Sequence, residues 1–193
     1  MKKKFILSCA FVLILSFVLT GCTDSYQAGK ITDNCYENES LNLKFTAPQG
    51  YQIKSGEDSE VEISSSGSGS SIILLVENPL ASIGSTEKYI EALKNDISKE
   101  IDQENEKPIT IGRKIKNHSF SDEITEVEIA GETYQKLSCT IIKETLVTRE
   151  STIKQDYYIR KCKNRIIVII ATYGNYGKSE AGMDELMNNF VTL

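Results

Sequence analysis

Side chains able to do chemistry are few in this 193-residue sequence, and they rarely stand at a spacing that chemistry requires. His118 is the only histidine. As a general base it would need a positioned nucleophile or carboxylate beside it. Asp122 and Glu123 follow closely, but no motif joins the three, and the polar surroundings predict an exposed loop histidine. Gly67-Ser68-Gly69 lacks the lysine and the following helix of a phosphate loop. Its extension through Ser70 and Ser71 misses the last glycine of a Gly-x-Ser-x-Gly nucleophile elbow. Asp102, Glu104 and Glu106 alternate as in some calcium loops but lack the glycine and terminal glutamate. They read better as a solvated helix end. No residue is therefore assigned to catalysis, to a cofactor or to a metal. Tyr157, Tyr158, Tyr173 and Tyr176 gather around one late hairpin. They form a candidate interface if exposed and ordinary sheet packing if not.

Five cysteines are present. Cys22 stands directly after Leu19, Thr20 and Gly21, behind Lys2 to Lys4 and an apolar run from Phe5 to Val18. Basic residues followed by a short apolar run form a secretory signal. The run is interrupted by Ser8 and Ser16 and falls short of the roughly 20 apolar residues of a membrane span. The segment resembles a bacterial lipoprotein signal peptide with its lipobox. That resemblance implies cleavage between Gly21 and Cys22, a diacylglyceryl group on the Cys22 thiol and a fatty acyl chain such as palmitate on its new amino group. Two such chains, at about 0.8 kcal/mol per buried methylene, anchor stably where one does not. The expected location is the extracytoplasmic face of the cell membrane. Of the other cysteines, Cys9 leaves with the signal, while Cys35, Cys139 and Cys162 fit no zinc pattern. Outside the cytoplasm a Cys35–Cys162 or Cys139–Cys162 disulfide is permitted, with one thiol left over.

Composition bounds the remainder. Removing the first 21 residues takes three lysines away and brings the net charge from −5 to −8. Such a chain does not attract nucleic acid or anionic lipid by charge, so the partner expected is the membrane, reached through the lipid, together with an envelope protein. Hydrophobic residues make up 40%, enough for a packed core without staples. The expected organisation is a signal over 1–21, a lipidated cysteine and polar tether over 22–34, and a single domain over 35–193. Oligomeric state is left open.

The elements follow from periodicity. Leu41, Leu43 and Phe45 alternate with polar residues, as do Val61 and Ile63, and each set predicts a strand. Pro48 and Gly50 break the first, and the serine- and glycine-rich tract 64–71 reads as a hairpin tip before a strand from Ile72 to Val76. Ser85 can cap a helix whose Tyr89, Leu93, Ile97 and Ile101 share one face. The stretch from Ile109 to Asp122 has no clear period. Strands are predicted around Ile124 to Ile129, Tyr134 to Ile142, Ile153 to Arg160 and Arg165 to Tyr173, with Lys163-Asn164 as a tight turn. Ile166 to Ala171 should form a central strand covered on both faces, and Ser179 should cap a last helix with Met183, Leu186, Met187 and Phe190 in one stripe. Strands joined by short turns, with segregated helices, predict an α+β fold with a mostly antiparallel β-sheet flanked by helices.

Three segments carry a resemblance at the level of fold. Tyr36-Glu37-Asn38 with Leu41 to Phe45 and Ala47-Pro48-Gln49-Gly50-Tyr51, then Ile129 to Tyr134, then Gln155 to Tyr158 through Thr172-Tyr173, resemble the opening, middle and late elements of PsbP/Mog1-like domains. The resemblance implies an α/β/α sandwich and no particular activity, because fold does not carry function. Small lipoproteins of that type occur in low-GC Gram-positive bacteria, which suits a composition rich in Lys, Ile, Asn and Glu. The expected role is a non-catalytic protein- or envelope-interaction module. The alternatives are a small extracytoplasmic hydrolase using carboxylates, which would need two facing acids in a deep pocket, and a small-ligand-binding lipoprotein, for which two lobes would be usual.

Overall fold

The computed structural model describes residues 26–65, 67, 69–78, 83–106, 113–145, 150–173 and 179–193. The elements are β1 (Lys30–Thr32), β2 (Cys35–Asn38), β3 (Leu43–Thr46), β4 (Tyr51–Lys54), β5 (Val61–Ser65), β6 (Ser71–Glu77), α1 (Thr86–Glu106), β7 (Arg113–Phe120), β8 (Thr125–Ile129), β9 (Glu132–Thr145), β10 (Glu150–Cys162), β11 (Arg165–Tyr173), α2 (Ser179–Met187) and β12 (Phe190–Val191). All pairings are antiparallel. The large sheet has the order β4-β5-β6-β11-β10-β9-β7, with β8 paired to β9, and the small one the order β1-β2-β3-β12. The fold is α+β, as the strand and helix patterns predict.

Side chains in a strand alternate between faces, and the large sheet buries both. Ile166, Val168 and Ile170 of β11 pack with Leu137, Cys139, Ile141, Tyr157 and Ile159 beneath Tyr89, Ile90, Ile97 and Ile101 of α1. Ile167, Ile169 and Ala171 pack on the opposite face with Tyr36, Leu43 and Phe45 of the small sheet and Met183, Leu186 and Met187 of α2. Thus β11 lies mid-sheet with both faces covered.

Three expectations are corrected. The tether assigned to 22–34 is folded from Tyr26 onward. Asp33 and Asn34, at φ 50° and 60°, form the two-residue turn between β1 and β2, the conformation that suits a tight hairpin and that Asp and Asn tolerate. The Asn34 side chain donates to Tyr51 O and accepts from Ile53 N, both at 3.0 Å, fastening this hairpin to β4. The unassigned stretch contains β7, so His118 sits in a strand and not in a loop; polar positions on an edge strand mask its period. Phe190 belongs to β12, where it pairs with Phe45 at 4.6 Å between ring centroids, and not to the last helix. Asp102, Glu104 and Glu106 are exposed on the last turns of α1, the solvated helix end expected.

Candidate functional site: a cleft on the helix-bearing face

The residues singled out by type do not assemble into a site. His118 is half-buried, its Nε2 lies 3.0 Å from Ser98 Oγ of α1, and its ring meets Phe120 edge-on. Asp122 and Glu123 are exposed. Cys35, Cys139 and Cys162 are free thiols. Cys139 is buried under α1, and burial pushes its thiol up to about 11, whereas Cys162 packs against the opposite core. The sheet between them excludes the Cys139–Cys162 bridge. Tyr157 faces α1, while Tyr158 and Tyr173 face the small sheet, and all three are buried. They pack the two cores and present no common surface. Tyr176, Leu19, Thr20, Gly21 and Cys22 lie outside the described residues.

What the sheet does assemble is polar. On the small-sheet face, Asp156 is fully buried. Ser138 donates to its Oδ1 and Tyr173 to its Oδ2, each at 2.6 Å, and the Lys136 ammonium lies 2.9 Å from Oδ2. Burial alone would raise the Asp156 carboxyl; the hydrogen bonds from Lys136, Ser138 and Tyr173 outweigh it and hold the carboxyl below the usual range. Burial, reinforced by Asp156, pushes the Tyr173 phenol up. This network is saturated and enclosed, so it pins β9, β10 and β11 together.

Directly behind Asp156, on the α1 face, lies a cleft of about 890 Å³. Among the described residues no α1 side chain lines it; it is the part of this face that the helix leaves uncovered. Ile73, Ile141 and Ile153 contribute apolar surface, and Gln155 and Thr172 line the inner end. Gln155 is held firmly: its Nε2 donates to Thr172 Oγ1 at 3.1 Å, and Tyr157 donates to its Oε1 at 3.0 Å. Gln52, Ser64 and Ser71 line the side formed by β4, β5 and β6.

Lys143 is the unusual member. It lines the cleft and is only 5% exposed. Its ammonium opens on the cleft, and a lysine so enclosed normally has a carboxylate partner, because taking the charge even partly out of water is costly. Among the described residues Lys143 has none. Glu62 also lines the cleft but is held by Lys54 at 2.9 Å. Glu150, one residue from the Lys143 partner Ser151 on β10, is engaged by Lys116. The two facing acids of a carboxylate hydrolase are not found among the described residues of this cleft, where Glu62 is the one carboxylate.

No protein-family model and no curated protein sequence matches the chain. Among solved structures it is similar to cyanobacterial PsbP (CyanoP) from Synechocystis, with 9% identity and a TM-score of 0.48 over 91% of this chain and 99% of that one. A protein from Bacteroides thetaiotaomicron is similar at 12% identity and a TM-score of 0.46, covering 83% of this chain and 48% of its own. LpqN of Mycobacterium tuberculosis, described as involved in cell envelope biogenesis, is similar at 9% identity and a TM-score of 0.41, covering 78% and 83%. Identities of 9 to 12% carry no residue role from those proteins to this chain.

Proposed function

We propose that this chain is a lipid-anchored extracytoplasmic lipoprotein, held through Cys22, whose domain is a non-catalytic module that binds an envelope component in the cleft. The observation that carries the binding role is Lys143, whose side chain is almost wholly enclosed and whose ammonium opens on the cleft with no carboxylate partner among the described residues. A charge kept there without a partner is a recognition element awaiting one. The anchoring role rests on Lys2 to Lys4, the apolar run and Leu19-Thr20-Gly21-Cys22. No helix among the described residues is long and apolar enough to cross a membrane, so attachment is assigned to the lipid.

The test is fractionation with intact-mass measurement. The wild-type chain is expected in the membrane fraction with diacylglyceryl mass on its N-terminal fragment. Cys22→Ala is expected either in the medium or as an unprocessed precursor. A Cys22→Ala chain that is processed and retained like the wild type would refute the anchor.

A further inference from the structure

The geometry points to the ligand class of this cleft: an anionic saccharide, a sugar ring bearing a carboxylate or a phosphate, with the acid group on Lys143. The inference rests on the binding role proposed above and goes further by naming what is bound. Three observations select that chemistry.

The first is charge. Lys143 is a single ammonium, without a carboxylate partner among the described residues, at one end of the cleft. It calls for one anionic group, and a charge-assisted hydrogen bond in a sheltered site is among the stronger polar contacts. The second is the rest of the lining. Gln155 and Thr172 hold each other at 3.1 Å at the far end, and Gln52, Ser64 and Ser71 continue the polar wall. Hydroxyls and amides both donate and accept, so the serines, Gln52 and the donor and acceptor capacity that the Gln155–Thr172 pair leaves over suit the hydroxyls of a polyol. The third is distance and floor. In the β9–β10 register, Lys143 pairs with Ser151 and Cys139 with Gln155, so Lys143 and Gln155 stand four residues apart along the sheet. At the rise of a strand that is roughly 13 Å, long enough for an acid group and one or two rings. Ile141 and Ile153, paired between those two levels, can receive the C–H faces of the rings.

The decisive experiment is saturation-transfer NMR with the full chain, both purified from membranes into phosphatidylcholine nanodiscs and as the Cys22→Ala form. The probes are glucuronic acid for the carboxylate source, glucose 6-phosphate for the phosphate source and glucose as the neutral control. We expect saturable binding of at least one acidic sugar and none of glucose at the same concentration; which acid binds identifies the source. Lys143→Met is expected to weaken binding about tenfold or more, the loss of one charge-assisted contact, while Lys143→Arg retains it. If Lys143→Met does not fold by circular dichroism, Ser64→Trp, on the half-buried wall, should block binding without touching the lysine. Glucose binding as well as the acids, neither acid binding, or a folded Lys143→Met or Ser64→Trp binding like wild type would each overturn the inference. A chain anchored through Cys22 that ignores both acids loses this ligand class and keeps its anchor. One that binds them without lipid on Cys22 loses the anchor alone.

Discussion

Two side chains show how little residue type says about residue role. Asp156 closes the polar run Lys154-Gln155-Asp156 and Lys143 opens the polar run Lys143-Glu144-Thr145, and residues in such runs ordinarily face solvent. Yet Asp156 is fully buried and Lys143 nearly so. The difference is decided by neighbours supplied from other strands, Ser138 and Tyr173 for the first and the cleft walls for the second. The Asp156 network makes a pH prediction. Its carboxyl lies lower in the folded chain than its unfolded value of about 3.9. Its contribution is therefore complete above that value and is lost as pH falls through the lower folded value. Asp156→Asn should cost about 2 kcal/mol at pH 7, the range for hydrogen bonds to a charged group, with Lys136 left partly solvated. The gap to wild type should shrink in urea unfolding at pH 3 relative to pH 7. A gap that is the same at both would show that the carboxylate charge is not what the network uses.

Elements were legible where a period repeats and illegible where pairing is made at long range. The α1 stripe, the β9 to β11 strands and the buried β11 follow from local pattern, because a 3.6- or 2-residue period is written in the chain itself. The small sheet was not legible as a second sheet. It joins β12, at the very end of the chain, to β3 near its beginning, and no local period encodes that partnership. Nor was β7, whose one deeply buried side chain among those described is Ile115. Turns are intermediate. The β8–β9 connection places Ala130 and Gly131 at φ 52° and 73°, the left-handed pair of a two-residue hairpin. A Cβ at Gly131 would meet Thr192 at an ordinary 3.7 Å, so substitution there costs conformation and not space. Gly131→Ala should lower stability by about 1 kcal/mol and Gly131→Asn by less, since Asn tolerates that region. Equal losses by chemical denaturation would point to a steric cause instead.

At the scale of the molecule, the folding of residues 26–34 changes how an anchored chain would sit. Three residues, Thr23 to Ser25, separate Cys22 from Tyr26, so the four steps between them reach at most roughly 14 Å. Tyr26 lies under the Arg165 guanidinium, 4.3 Å from its ring centroid, beside the Lys163-Asn164 turn. Thr172, at the inner end of the cleft, is seven residues farther along β11, roughly 23 Å away. With lipid on Cys22, the turn faces the membrane and the cleft opens away from it. A fluorophore at Lys163→Cys should therefore be quenched by headgroup-level quenchers in nanodiscs, and one at Gly69→Cys, in the cleft lining, should not. Inserting a 20-residue flexible linker (about 25 Å in mean reach) before Tyr26 should erase that contrast. Equal quenching of both sites in the original chain would contradict the orientation.

Local pattern suffices for whatever depends on neighbours along the chain: the α+β class, the two amphipathic helices, the apolar central strand and the signal-like start whose Cys22 is the expected anchor. It took the folded chain to show which polar side chains are buried, that Tyr157 and Tyr158 face different cores, that Lys30 to Asn38 form a hairpin where part of a tether is expected, and that Lys143 stands in a cleft without a carboxylate partner among the described residues. The reason is physical. Periodicity is a property of consecutive residues, whereas burial and pairing are set by strand register between segments tens of residues apart, and a shift of one residue in that register moves every side chain to the other face.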